Sequence, residues 1–193
     1  FIKQYHSKFK YRICVDTSPI MEKAWAQKAG LGWIGKHTNL INTKIGSWFF
    51  LSEILLDFDL KYDNVYDEDL CGTCNKCIDA CPTEALEPYI LNSNKCISYL
   101  TIEHRGAIDN KYKHSLDDWI YGCDICQEVC PWNIKFSNNT EEKSFYIRDN
   151  IQNMTVNDWN NISESHYKKI FKKSAIKRAK YSGLVRNIKL NNN

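Results

Sequence analysis

Cys71-Gly-Thr-Cys74-Asn-Lys-Cys77-Ile-Asp-Ala-Cys81-Pro82 is the stretch from which the rest of this chain can be interpreted. Its two short gaps curl the backbone so that three thiolates meet three irons of one cluster. The longer gap turns the fourth thiolate away, a spacing that holds [4Fe–4S] clusters in pairs. Pro82 redirects the chain after that last ligand. A second stretch, Cys123-Asp-Ile-Cys126-Gln-Glu-Val-Cys130-Pro131, repeats the end of the first, and Cys96, ahead of the insert 97–122, supplies its missing cysteine. Pseudo-twofold crossing then predicts two ligand sets. One is Cys71, Cys74, Cys77 and Cys130; the other is Cys81, Cys96, Cys123 and Cys126.

Paired zinc sites are the alternative, because zinc also favours two-residue gaps between thiolates. Zinc gives no reason for a third cysteine two residues on, nor for Cys-Pro in both halves. The ninth cysteine, Cys14, sits in the apolar run Ile13-Cys14-Val15 and is expected to be a small buried hydrophobe. Structural disulfides are rare where thiol pools are reducing, so nine cysteines without an export signal call for metal or redox chemistry.

A hydrophobic content of 43% supports a real core. No apolar run is long enough to span a bilayer, and Phe1-Ile2-Lys3-Gln4-Tyr5 lacks a signal-peptide layout, so a cytoplasmic protein is expected. The start at Phe1 rather than Met points to further residues upstream. Formal charge is +3 but unevenly spread: 165–193 hold Lys and Arg with no Asp or Glu, a basic appendage on an acidic body. That pattern suits a polyanion such as nucleic acid, or equally a solvated lysine-rich helix face.

Outward from the cysteines, Tyr11 to Asp16 reads as a short strand. Thr17-Ser18-Pro19 reads as a helix start, with the helix running from about Pro19 to Ala29, Met21, Ala24 and Trp25 on one face, and Gly30 and Gly32 ending it. Asp16 at the strand end can stabilise that helix dipole or act as a catalyst. Gly32 and Gly35 stand beside Lys36 and His37, and glycines let backbone approach a bulky ligand. The run Gly46 to Leu56 suits a buried strand with an aromatic wall, and 62–69 a polar linker. Side chains after Cys96 must lie close to a cluster, as donors to its sulfurs or contacts to an electron acceptor. Asn157 to Asn187 has helical spacing, with Tyr167, Ile170, Phe171 and Ile176 apolar and lysines opposite.

With these segments in order, the chain resembles the epoxyqueuosine reductase family. The stretches that carry the resemblance are Val15-Asp-Thr-Ser-Pro19, Gly30-Leu-Gly-Trp-Ile-Gly-Lys-His-Thr-Asn-Leu-Ile41, Gly46-Ser-Trp-Phe-Phe-Leu-Ser-Glu-Ile54, Cys96-Ile-Ser-Tyr-Leu-Thr-Ile-Glu-His-Arg-Gly106 and Tyr121-Gly-Cys-Asp-Ile-Cys-Gln-Glu-Val-Cys-Pro-Trp-Asn133. The tail Phe171-Lys-Lys-Ser-Ala-Ile-Lys-Arg178 is similar to the start of the family's helical repeats. The resemblance implies an α+β protein: the C-terminal part of a nitroreductase-like corrinoid-binding domain over 1–66, a bacterial two-[4Fe–4S] ferredoxin-like domain over 67–136, and a basic helical segment over 137–193. The family's corrinoid domain begins before Phe1 and its repeats run past Asn193, so truncation at both ends is expected.

It further implies a cobalamin enzyme, related to reductive dehalogenases, that reduces epoxyqueuosine to queuosine at the wobble position of tRNA with a GUN anticodon (Asp, Asn, His, Tyr). An external donor would supply electrons through the Cys71 cluster, then the Cys81 and Cys96 cluster, to cobalt. Asp16 matches the family's Val-Asp-Thr aspartate and is implied as the proton donor. Asp16, His37, Ser98, Cys123 and Asp124 are the implied cofactor-binding positions, with cob(II)alamin as the cofactor. Arg105, Lys172, Lys173, Lys177 and Arg178 are the implied tRNA contacts, joined by Lys168 and Lys169. A monomer off the membrane is expected. Three rivals remain: a ferredoxin-type carrier without its own catalytic site or an inactive fragment, a reductive dehalogenase, which normally carries an export signal, and a structural cluster protein that grips nucleic acid.

Overall fold

The computed structural model describes residues 4, 8–116 and 118–191; most of the Phe1–Tyr5 stretch, and residues 6, 7, 117, 192 and 193, lie outside the described residues. The architecture mixes short helices with small sheets, an α+β chain. Strand β1 (Tyr11–Cys14) pairs antiparallel with β4 (Glu53–Leu56), Tyr11 opposite Leu56 and Cys14 opposite Glu53. Cys14 is buried as expected. Between these strands lie α1 (Glu22–Lys28) and the hairpin of β2 (Trp33–Ile34) with β3 (Leu40–Ile41).

Three expectations for this part need correction. The helix starts at Glu22, not Pro19, because Asp16 takes a left-handed backbone (φ 54°) and residues 15–20 are held in tight turns by Thr17 N–H to Val15 O and Ile20 N–H to Ser18 O. It buries Ala26, while Met21 and Trp25 are 71% and 57% exposed, since α1 meets β2 and β3 through the other side. The run 46–56 is a strand only from Glu53, with Phe50 83% exposed. Its first part is diverted because Ser47 is tied by its main chain and hydroxyl to residues 127 and 133.

The cysteine region is built from short helices in matched pairs. Helices α2 (Lys76–Asp79) and α4 (Ile125–Glu128) pack together, and their preceding residues Asn75 and Asp124 share nearly the same backbone angles, φ −124°, ψ 12° and φ −119°, ψ 6°. The hairpin of β5 (Leu86–Glu87) and β6 (Ile90–Leu91) lies between them in sequence. Helices α3 (Ile97–Ile102) and α5 (Pro131–Phe136) each begin directly after a cysteine in extended conformation, Cys96 at φ −69° and Cys130 at φ −70°, both with ψ 123°. Main-chain geometry therefore repeats the twofold pattern of the spacing.

The tail is not one helix but a series: α6 (Asp149–Gln152), α7 (Val156–Asn160), α8 (Glu164–Ile170), a 3₁₀ turn over Ala175–Ala179 and α9 (Lys180–Asn191). Side-chain caps restart it, with Thr155 and Asp158 in a reciprocal capping box and Ser163 accepting from His166 N–H. Lys173 and Lys180, at φ 59° and 62°, turn the chain between segments. Tyr167, Ile170 and Phe171 are buried as predicted, with Ile162, Leu184 and Ile188, and Ile176 packs against them. The tail docks on the cysteine insert through polar groups that sequence periodicity cannot show. Buried Asn187 donates to Thr101 O and Ile120 O, and Arg186 donates to the Leu100, His104 and Gly106 carbonyls.

Candidate metal centres

The eight cysteines separate into two groups of four. Cys71, Cys74, Cys77 and Cys130 line one cavity of about 180 Å³. Cys81, Cys96, Cys123 and Cys126 line a second, of about 370 Å³. The electrostatics divide the same way. Burial raises the Cys77 and Cys130 thiols, and their charged neighbours are each other's set, Cys71 and Cys74 among them. Burial pushes Cys123 up to about 11 and Cys126 up to about 12, and both feel Cys96 and Cys81. The influence of Cys77 on Cys126 crosses between the groups, where α2 meets α4.

These groups fit iron–sulfur clusters. Each cavity gathers four sulfur donors, and the positive charge of bound iron would offset the burial that raises Cys77, Cys123, Cys126 and Cys130. N–H donors already point at the sulfurs: Trp33 Nε1 lies 3.5 Å from Cys71 Sγ and the Ala85 amide 3.3 Å from Cys81 Sγ. Such donors compensate the negative charge of a thiolate-ligated cluster.

Residues outside the cysteine motif shape the first loop. The Lys36 ammonium, 8% exposed, donates to Gly72 O, Cys74 O and Asn75 Oδ1 at 2.7–3.0 Å. Asp69 accepts from the Cys71 amide at 2.9 Å and from the Tyr89 hydroxyl. The Asp69 carboxyl is thereby held below its ordinary range, and the Tyr89 phenol is raised to about 12 by the same bond. Neither Asp69 nor Tyr89 stands out in the sequence, because a lone acid in an acidic linker and a tyrosine twenty positions on carry no spacing signal. The glycines near Lys36 serve packing within the chain: a Cβ on Gly32 would stand 2.0 Å from Ile41 O.

Four of the five implied cofactor positions converge. His37, Ser98, Cys123 and Asp124 all line the larger cavity. Burial raises the Asp124 carboxyl, and it lowers His37 to about 4. Asp16 does not line that cavity but is connected to it. Arg178 Nη1 meets Asp16 Oδ2 at 2.6 Å, and its Nε meets Glu103 Oε1 at 2.5 Å, Glu103 being part of the cavity wall. Arg105 donates to Ile102 O and Arg178 O, which places it in the same cluster of charges. Lys172, Lys173 and Lys177 are exposed on the tail beside it, with Lys169; Lys168 pairs with Glu164. Acid and guanidinium thus meet at Glu103 of the cavity wall.

Residues 70–133 match a sequence family described as a 4Fe-4S double cluster binding domain, a span that contains all eight cysteines. The epoxyqueuosine reductase of Cellulophaga algicola is 48% identical over 189 residues, 97% of this chain. The chain belongs to the epoxyqueuosine reductase family. It spans 61% of the length of that relative. A crystal structure of a selenomethionine-labelled epoxyqueuosine reductase superposes with a TM-score of 0.89 at 30% identity, covering 99% of this chain and 50% of the other. Another epoxyqueuosine reductase, solved with an epoxyqueuosine-modified tRNA-Tyr stem loop, superposes with a TM-score of 0.83 at 29% identity, again over 99% of this chain and 50% of that one. Among the described residues no helix is long and apolar enough to cross a membrane.

Proposed function

We propose that this chain carries the electron path and one wall of the active site of an epoxyqueuosine reductase, which reduces epoxyqueuosine to queuosine at the wobble position of tRNA. The observation that carries the proposal is the convergence of His37, Ser98, Cys123 and Asp124 on the larger cysteine cavity, with Asp16 linked to its wall through Arg178. Cys71, Cys74, Cys77 and Cys130 are the ligands of one [4Fe–4S] cluster, and Cys81, Cys96, Cys123 and Cys126 those of the other. Ser98, Asp124 and neighbouring residues would hold a cobalamin, which would supply the reductive chemistry at carbon. Residues 1–66 form part of a nitroreductase-like corrinoid-binding domain, 67–136 a ferredoxin-like domain, and 137–193 the start of a helical repeat region. The enzyme works as a cytoplasmic monomer fed by an external electron donor.

Reducing the epoxide to an alkene consumes two electrons and two protons and releases the oxygen as water. A leaving oxygen of this kind needs an acid within hydrogen-bond reach. Asp16 takes that role: it is 66% exposed, so solvent can supply the proton that it passes on, and Arg178 orients it through Oδ2. Glu103 and Arg105 fix Arg178 in turn. Lys172, Lys173 and Lys177, with Arg178, draw the phosphates of a tRNA carrying a GUN anticodon, so that the modified base enters beside Asp16.

The test is conversion of epoxyqueuosine to queuosine in tRNA by the full-length protein, reconstituted with iron, sulfide, cobalamin and a reductant. Turnover is expected, with Asp16→Asn binding tRNA normally but inactive. An Asp16→Asn protein with wild-type turnover would remove the proton-donor role. The match of residues 70–133 to a 4Fe-4S double cluster binding domain also suits a second reading, an electron-transfer module whose visible spectrum does not change when cobalamin is added.

A further inference from the structure

His37 sits in the loop between β2 and β3, 3% exposed, and is a lining residue of both cysteine cavities. The Asn39 amide donates to its Nδ1 at 3.2 Å. A neutral imidazole that accepts at Nδ1 carries its proton on Nε2. Nε2 has no hydrogen-bond partner among the described residues. A buried N–H left without an acceptor loses its hydration with nothing in return, so such a group calls for a partner. The neighbouring Lys36 is committed to carbonyls of the first cysteine loop. His37 is the donor that remains at the boundary of the two cavities, whose walls present cysteine sulfur.

We propose that His37 donates a hydrogen bond from Nε2 to the sulfur shell of an iron–sulfur cluster at the boundary between the two quartets, and thereby raises that cluster's reduction potential. This rests on the two-cluster reading above. The physical reason is differential stabilisation: reduction adds negative charge to the cluster, and an N–H dipole aimed at its sulfur stabilises the reduced form more than the oxidised one. The ring's neutrality suits this role. An imidazolium buried against Lys36 and Lys23 would add a third positive charge, whereas the neutral ring supplies a fixed dipole. The acceptor is a cysteine thiolate or a cluster sulfide of either site, the same chemistry in both cases.

The experiment is a reductive titration of the full-length reconstituted protein, followed by electron paramagnetic resonance, for wild type, His37→Leu and His37→Gln. Iron content comes first. If wild type never reaches two clusters, the two-cluster reading itself fails. With iron retained, His37→Leu is expected to shift one cluster's reduction equilibrium about tenfold toward the oxidised form, about 59 mV for one electron. His37→Gln keeps an N–H donor and is expected to recover most of the shift. Cys74→Ser and Cys123→Ser assign the affected wave to its cluster. Potentials unchanged in both clusters would overturn the proposal, and so would a shift seen only after cobalamin is added. If the Leu variant loses iron, hyperfine spectroscopy on wild type with ¹⁵N-labelled histidine decides: a coupled imidazole nitrogen supports the hydrogen bond and its absence refutes it.

Discussion

Removing Asn133 and Ser47, singly and together, probes the joint that fixes the Cys130 side of the first quartet. Asn133 is 2% exposed and stands one turn after Cys130 in α5. Its Oδ1 accepts from Ser47 N–H at 2.6 Å, and its Nδ2 donates to Ser47 Oγ and to Gln127 O, each at 2.8 Å. Ser47 Oγ donates onward to Gln127 Oε1 at 2.9 Å. The glycine before Ser47 is required here, since a Cβ on Gly46 would lie 2.1 Å from Asn133 Oδ1 and its φ is 72°.

A hydrogen bond contributes about 1 kcal/mol net, and a stranded buried group costs about 1–3 kcal/mol. Asn133→Ala removes three bonds and strands the Ser47 amide, for a loss of about 3–4 kcal/mol. Ser47→Ala removes two side-chain bonds, for about 2 kcal/mol. The two variants share the Nδ2 to Oγ bond, so the double variant is expected to lose about 1 kcal/mol less than the sum. The assay is urea unfolding of the reconstituted protein, read by visible cluster absorbance and by far-ultraviolet circular dichroism. With a slope of about 2 kcal/mol per molar urea, the Asn133→Ala midpoint falls by about 1.5 M. Additivity within about 0.3 kcal/mol, or an Asn133→Ala loss below about 1 kcal/mol, would refute the shared network.

Arg178→Ala breaks ion pairs that are about half exposed. Such pairs contribute about 0–1 kcal/mol, so the melting temperature is expected to stay within a few degrees while turnover drops at least tenfold; equal losses in both would make Arg178 merely structural. The Tyr89 phenol, raised to about 12 by Asp69, keeps its proton through the range where free tyrosine ionises, so its contribution is full below pH 10 and disappears as pH rises through 12. Difference absorbance against Tyr89→Phe should show that late ionisation, and Asp69→Asn should bring it back toward 10. Replacing Lys172, Lys173 and Lys177 together by alanine is expected to lower the salt slope of tRNA binding by about 2–3, near 0.9 for each phosphate no longer neutralised. An unchanged slope would exclude these lysines from the tRNA path.

The cysteine spacing was legible because ligand geometry is local: a gap of two or three residues dictates how thiolates face a cluster wherever the motif stands. The same holds for Cys14 in its apolar run and for the Tyr167, Ile170 and Phe171 stripe, whose burial follows from composition and period. Periodicity could not show that the tail breaks at Ser163 and Lys173, since side-chain caps and left-handed residues compete with helix at those points. Nor could it show that Met21, Trp25 and Phe50 stay exposed, because an apolar side chain is buried only where another element comes to cover it.

Which residues carry chemistry could be read along the chain, through short-range covalent constraints. Which of them meet was settled by packing across large separations. Asp16 finds Arg178 from 162 positions away, and Asn133 finds Ser47 from 86. His37 reaches both quartets at once because the β2–β3 hairpin lays its loop between them. Pairings of that kind depend on where whole elements dock, and no spacing in the amino-acid order encodes them.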